Sequence, residues 1–300
     1  MMERLITDVS LGRDSFYTIM TAFQNENVNI EAVTVNDPAM ARTCHGMLHL
    51  LEHLYTDIPV CKGSTGYLDE EGAEDKSTSF WPDDVISPIS AWEMICLKVS
   101  LYPGEVTVIS HSPLTDIAVF LREHSDAARK LKKLVILENR TPDARAEGLD
   151  FAPPADAKAL REVLASPLDI YLIPRNLLKV TDKNRPLIER IKEGRDTMIG
   201  RFLHHSTMAD NDEAIVSSLA ACLTAFDSGA LKSKRWNVAC TEEGERKGCF
   251  LLGKGDDIPN VNVVTAIDFK RALKEGFGVA DTDKTRAYNK LHEGEGHHHD

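Results

Sequence analysis

Apolar and polar positions change period in a regular way over the first 140 residues. RLITDV (4–9) is a short apolar run of the kind that forms a buried strand, and DSFYTIMTAFQNE (14–26) has apolar residues at helical spacing. NIEAVTV (29–35) is β-branched and reads as a strand, MARTCHGMLHLLEHLY (40–55) as a helix and IPVCKG (58–63) as a short strand. After a break come a helix in ISAWEMICLKVSLY (89–102), a strand in VTVISH (106–111), a helix in LTDIAVFLREHSDAARKL (114–131) and a strand in KKLVIL (132–137). Strands alternating with helices predict a mostly parallel, Rossmann-like sheet with helices on both faces.

The rest continues the theme. PADAKALREVLAS (154–166) is helical after a proline pair, LDIYLIP (168–174) is a strand, 184–206 is helical, and AIVSSLAACLTAFD (214–227) is a buried helix of small residues. WNVACTEEGERKGCFLL (236–252) reads as a hairpin turning near Glu243-Gly244, followed by a strand in NVNVVTAID (260–268) and a helix in FKRALKEGFG (269–278). The acidic, turn-rich stretch 64–89 reads as a long surface loop. No linker or internal repeat is evident. The expected organisation is one α/β domain over 1–277 and a disordered tail over 278–300.

Composition narrows the class. Hydrophobic content of 42% and charged content of 27% are those of a globular protein. A formal net charge of −12 argues against non-specific nucleic-acid binding, which depends on basic patches. The six cysteines form no CxxC pair and sit mostly in apolar runs, as reduced core thiols do. No run is long enough to span a membrane, and strand-like sequence begins at Leu5, where a signal peptide would lie. The expected location is intracellular, in the cytoplasm, or in an organelle if a presequence has been removed.

Candidate chemistry is sparse. His45, His49 and His53 share one helix face, a spacing that can bind a transition metal but that reads here as a solvated or interface stripe on a surface helix. His204 and His205 point apart, and His297 to His299 resemble a tail or tag. His111 in SHSPLTD lies near serines, but no GxSxG elbow accompanies them. The SLGRDS loop (10–15) after the first strand holds Gly12 and Asp14 with two serines, Ser10 and Ser15, and Asp8 lies just before it. Gly12 reads as a turn glycine.

Taken in order, these segments resemble the inosine-uridine-preferring nucleoside hydrolase family. The first strand and SLGRDS sit where that family has DxDPGxDD; AVTVN, TDIPVCKG, PGEVTVISHSPLTDIAVFL, KKLVILE and the late hairpin are similar to later family segments, over about residues 4–277. The resemblance implies a single Rossmann-like domain of nucleoside hydrolase type. It also implies hydrolysis of the N-glycosidic bond of ribonucleosides, with a calcium ion at the carboxyl ends of the strands. Calcium would be held by carboxylates and one backbone carbonyl, and an aspartate would serve as general base.

Residue by residue, the match is incomplete. Asp8, Gly12 and Asp14 fit the first motif, but Ser10 stands at the position of the base and metal ligand, Leu11 at that of proline, and Ser15 at that of another metal ligand. A gap-free count back from the late hairpin and Asp227 places the family's HD pair, which opens a small-residue helix, on Ser217 and Ser218. His111 falls where a backbone carbonyl meets the metal. Gly148 and Asp150 fall on a segment that reads ribose, and Asn36 matches a family asparagine.

Calcium affinity depends largely on how many ligand oxygens carry charge. The expectation is therefore no cofactor, no calcium and no confident catalytic residue, with Ser10, Ser15, Ser217 and Ser218 in the altered positions. Asp8, Asp14, Asn36 and Asp150 would form a remnant ribose site, although Asp14 and Asn36 serve as well as scaffold residues, Asp14 as a helix N-cap. Two functions compete. One is a non-catalytic homologue acting in a homo-oligomer or larger assembly, its pocket empty or binding a nucleoside or ribose weakly, with the helix of His45, His49 and His53 and the 64–89 loop as contact surfaces. The other is an active ribonucleoside N-glycosidase that uses calcium at a rearranged site built from Asp8, Asp150, Asp212 and His111. Neither involves nucleic acid or membrane insertion.

Overall fold

In the first strand, β1 (Glu3–Val9), every side chain from Leu5 to Val9 is buried, whichever face it points to. This is the behaviour of a parallel strand covered on both sides. The computed structural model describes residues 2–66, 68, 85–138, 156–194, 197–205, 210–227, 229–241, 243–244, 248–253, 258–277, 286 and 290. In chain order the next elements are α1 (Arg13–Gln24), β2 (Val28–Val35), α2 (Met40–His53), β3 (Val60–Lys62), α3 (Ala91–Leu101) and β4 (Val106–Ser110). Then come α4 (Thr115–Glu123), α5 (Ser125–Ala128), β5 (Lys133–Leu137), α6 (Ala157–Leu164), β6 (Ile170–Ile173), α7 (Arg185–Glu193) and α8 (Met198–His205). The chain closes with α9 (Asp212–Phe226), β7 (Leu231–Trp236), β8 (Val238–Cys240), β9 (Phe250–Leu252), β10 (Val261–Ile267) and α10 (Arg271–Glu275).

Eight strands form one sheet in the order β3-β2-β1-β4-β5-β6-β10-β7, parallel throughout except for β7, which runs antiparallel to β10. Strands β8 and β9 pair separately as the expected hairpin. The core lies in two layers. Along β4, Val108 packs on one side and Ile109 on the other, and along β1 Ile6 and Leu5 divide in the same way. One layer takes side chains from α1, α2 and α9, the other from α3, α4 and α6.

The expected elements occur with three differences. The helix expected over 114–131 breaks at His124, whose φ of −132° and ψ of 47° are not helical, giving α4 and α5. The helix expected over 184–206 divides after α7, where Thr197 Oγ1 donates to the carbonyls of Ile191 (2.6 Å) and Gly194 (2.9 Å) and ends the run. Strand β7 was not expected. Its sequence, LKSKRW, is mostly exposed and basic, because it is the sheet's edge, where charge discourages further pairing. Most of the tail and most of the 64–89 loop lie outside the described residues. No helix among the described residues is long and apolar enough to cross a membrane.

Two buried carboxyl groups tie the loops at the carboxyl ends of the strands. Asp156 caps α6 by accepting from Ala159 N (3.0 Å), and its other oxygen accepts from Thr115 Oγ1 (2.9 Å) and Leu68 N (2.7 Å). Asp116, wholly buried in the first turn of α4, accepts from Ser64 N at 2.8 Å. Its second oxygen lies so close to Gly63 that a Cβ there would sit 1.7 Å away, so only glycine fits. Burial, with the charge of Asp8 adding to it, pushes the Asp116 carboxyl well above the usual carboxylate range and favours the protonated acid.

Two outcomes are expected. Ile109→Ala empties a fully buried site in a central strand and should cost about 2–5 kcal/mol in denaturant unfolding. Because folding raises the pKa of Asp116, the acid costs stability that grows as pH rises above its unfolded value of about 4. Asp116→Asn should therefore melt higher than the parent chain at pH 7, with the gap closing as pH falls toward about 4. A gap that is constant across that range would show that folding does not raise the pKa of Asp116.

Candidate functional site

The chain leaves β1 toward β2 on one side of the sheet, while β4, the other neighbour of β1, continues toward β5 on the other side. Open α/β sheets bind ligands in the crevice beyond the carboxyl ends of the strands at such a switch point. Here the crevice is bounded by the β1–α1 loop with Ser10, Leu11 and Gly12, and by the β4–α4 loop with His111, Ser112 and Pro113.

Asp8 is fully buried at the end of β1. Its Oδ1 accepts from Thr34 Oγ1 (2.9 Å) and its Oδ2 from Ser110 Oγ (3.0 Å) and from the Ser112 hydroxyl, so it fastens three neighbouring strand ends. Ser10 Oγ donates to the backbone carbonyl of His111 at 2.9 Å, and Ser15 Oγ donates to the carbonyl of Ser10 at 2.9 Å. His111 Nδ1 lies 3.2 Å from Asp14 Oδ2, and its Nε2 lies 3.0 Å from Thr18 Oγ1. Asp14 Oδ1 accepts from Ser15 N at 2.9 Å.

Several expected roles change. Asp14 lies in the first turn of α1 and not at its N-cap, which is Gly12. Gly12 has an extended φ of −177°, so its backbone does not require glycine; a Cβ would lie 2.6 Å from Asp14 Oδ1 and push that carboxylate aside. Asn36 is buried, and its amide oxygen accepts from the N–H groups of Thr115 (3.0 Å) and Asp116 (3.2 Å), serving the start of α4. Asp37 was missed altogether. It is buried and accepts from Leu11 N (2.6 Å) and Ala39 N (2.7 Å), so it positions the β1–α1 loop from β2. The turn signature Asn-Asp-Pro was its only signal.

The late part of the site is corrected by α9. Asn211 is the N-cap, accepting from Ala214 N at 3.0 Å, and Asp212 opens the helix. The pair at the start of the small-residue helix is therefore Asn211-Asp212, not Ser217-Ser218. Ser218 lies farther along α9, where its Oγ donates to Ile215 O (2.8 Å) and accepts from Thr21 Oγ1 (3.1 Å) between α9 and α1. The gap-free count failed because it ran through the loop and edge strand after α9, where chain length is free to vary. Asp212 is ion-paired to Lys192 Nζ at 2.8 Å, and the same ammonium pairs with Asp210. Lys192, with a smaller contribution from Arg13, holds Asp210 below the usual carboxylate range.

Calcium can be tested against these donors. Positions 10 and 15 offer hydroxyls that already donate to carbonyls, and one of those carbonyls is the His111 oxygen itself. Both oxygens of Asp8 are engaged by hydroxyl donors, and Asp212 is engaged by a lysine. Calcium needs six to eight oxygens, several of them charged. The described residues do not fit it. Asp150 and Gly148 lie outside the described residues.

The histidine stripe also divides. His49 is exposed and lies 4.0 Å from Glu52, while His53 packs edge-on to Phe202, with ring centroids 6.1 Å apart. Among the described residues, only exposed Glu93 and Glu123 with His124 bring three potential metal ligands together.

Comparison with known proteins agrees with this architecture. The model of the inosine-uridine preferring nucleoside hydrolase family matches residues 5–274. Uridine nucleosidase 1 of Arabidopsis thaliana is 31% identical over 205 residues, covering 60% of this chain and 59% of that protein. Probable uridine nucleosidase 2 of Oryza sativa subsp. japonica is 28% identical over 207 residues, covering 61% and 60%. The chain thus spans about three-fifths of the length of these curated relatives. Among solved structures, a purine-preferring ribonucleoside hydrolase from Gardnerella vaginalis superposes with a TM-score of 0.70 at 16% identity, covering 96% of this chain and all (100%) of the other. The plant nucleoside hydrolase PpNRh1 superposes with a TM-score of 0.68 at 21% identity, covering 92% of this chain and 98% of the other. With its sheet order, its switch-point crevice and a family match over nearly its whole length, this chain belongs to the inosine-uridine preferring nucleoside hydrolase family.

Proposed function

We propose that this protein keeps the nucleoside hydrolase fold but does not carry out calcium-dependent cleavage of the N-glycosidic bond. The observation that supports this reading is the state of positions 10 and 15. Both hold serine, and both hydroxyls are spent on main-chain carbonyls. A serine cannot take a proton from water near neutral pH, so position 10 supplies no general base. Two neutral oxygens at positions 10 and 15 would also leave the charge of a bound cation poorly compensated. What remains is a binding or structural role: weak capture of a nucleoside or of ribose, or service as a subunit of a homo-oligomer or larger assembly.

A second reading has its own support. The curated relatives are named uridine nucleosidases, and Asp212 keeps a carboxylate at the start of α9. On this reading the chain is a ribonucleoside N-glycosidase, with calcium held through Asp212 after Lys192 moves aside.

Base release from uridine, inosine and guanosine at high protein concentration, with millimolar calcium or with chelator, separates the two. The first reading expects turnover at least about a hundredfold below that of a uridine nucleosidase assayed in parallel, given the usual value of a positioned base, and no response to calcium. It also expects calcium binding by calorimetry to rise in the Ser10→Asp, Ser15→Asp double variant. Calcium-dependent turnover by the unmodified chain would establish the second reading.

A further inference from the structure

All four polar atoms of His111 are hydrogen-bonded to one short segment of chain. Its N–H donates to Asp8 O (2.8 Å), and its carbonyl accepts from Ser10 Oγ (2.9 Å). Its Nδ1 faces Asp14 Oδ2 (3.2 Å), and its Nε2 faces Thr18 Oγ1 (3.0 Å). A ring nitrogen facing an ionised carboxylate carries the proton, so in the neutral ring Nε2 accepts from the Thr18 hydroxyl. The partners Asp8, Ser10, Asp14 and Thr18 run from the end of β1 through its loop into the second turn of α1. His111 is 3% exposed, so water offers little competition for these bonds.

The consequence concerns how the crevice is held together. The β1–α1 and β4–α4 loops come from distant parts of the chain and must be fixed to each other for the crevice to have a shape. An ion bridging the two loops would do this with charged ligands. Here the same span is crossed by hydroxyl-to-carbonyl and imidazole-to-carboxylate bonds. Ser15 extends the set by donating to Ser10 O, which braces the residue that holds His111. Even the turn after His111 is constrained: Leu114 sits at φ 70°, a left-handed conformation that a leucine adopts only when its surroundings impose it.

We infer that His111 fastens the β4–α4 loop to the β1–α1 loop through bonds to Asp8, Ser10, Asp14 and Thr18, and that this clasp replaces a bridging cation as the element that shapes the crevice. The inference rests on the calcium-independent reading above and adds which residues do the work. The serines at 10 and 15 are then working parts of the closure, and so is the histidine at 111.

Thermal melting and amide hydrogen exchange test it. They are measured on the whole chain and on Ser10→Ala, Thr18→Val and His111→Ala, each with chelator and with millimolar calcium. In the unmodified chain, calcium should change neither the melting temperature nor the protection of residues 9–18 and 110–116. In each variant, exchange at both segments should rise together, by about five- to tenfold for a single lost hydrogen bond and more for His111→Ala. Strands β5 and β6 should keep their protection. If His111→Ala does not fold, Ser10→Ala and Thr18→Val still carry the test. A calcium-dependent rise in the unmodified chain's melting temperature would overturn the reading under Proposed function. Indifference to calcium, with unchanged exchange in the variants, would leave that reading standing and overturn the clasp.

Discussion

The parallel pairing of β1 with β4 is the constraint on which the rest of this molecule depends. It brings Asp8 beside Ser110, so that the next residues of both strands leave the sheet side by side. Everything in the crevice follows from that register. The His111 N–H continues the ladder by donating to Asp8 O, and the Ser10 hydroxyl returns the contact to the His111 carbonyl. Because side chains alternate across a strand, a slip of one residue would put Asp8 on the wrong face and break its bonds to Thr34 and Ser110. The sheet also holds the crevice rigidly, since both of its faces are buried under helices.

Around this register, buried acids do structural work. Asp8, Asp37, Asp116 and Asp156 each accept from backbone N–H or hydroxyl donors at the carboxyl ends of the strands. They satisfy polar groups that the strand-to-loop transitions would otherwise leave unpaired. Asp116 is the exception in charge. With burial and Asp8 both opposing ionisation, its carboxyl, wedged against Gly63, is pushed toward the protonated acid.

The alternation of strands and helices was legible because period-2 and period-3.6 patterns come directly from backbone geometry. So was the position of the crevice, since the SLGRDS and SHSPLTD loops follow apolar strands. Strand β7 was not legible, because an exposed basic edge strand carries no apolar alternation. Nor was Asp37, whose role depends on a loop from another strand. The late register misled for a similar reason. Counting through a loop cannot locate a helix start, whereas the Asn211 cap and its bond to Ala214 N can.

By itself, the sequence determined the layer architecture, the family resemblance and the presence of serine at positions 10 and 15. These are local facts of residue type and order. Only the tertiary structure decided what those hydroxyls do, that Asp212 opens α9 beside Lys192, and that His111 points into the β1–α1 segment instead of out of the crevice. Each of those outcomes joins groups far apart in the chain. Hydrogen-bond partners are chosen by distance and angle in the folded state, and residue order alone specifies neither.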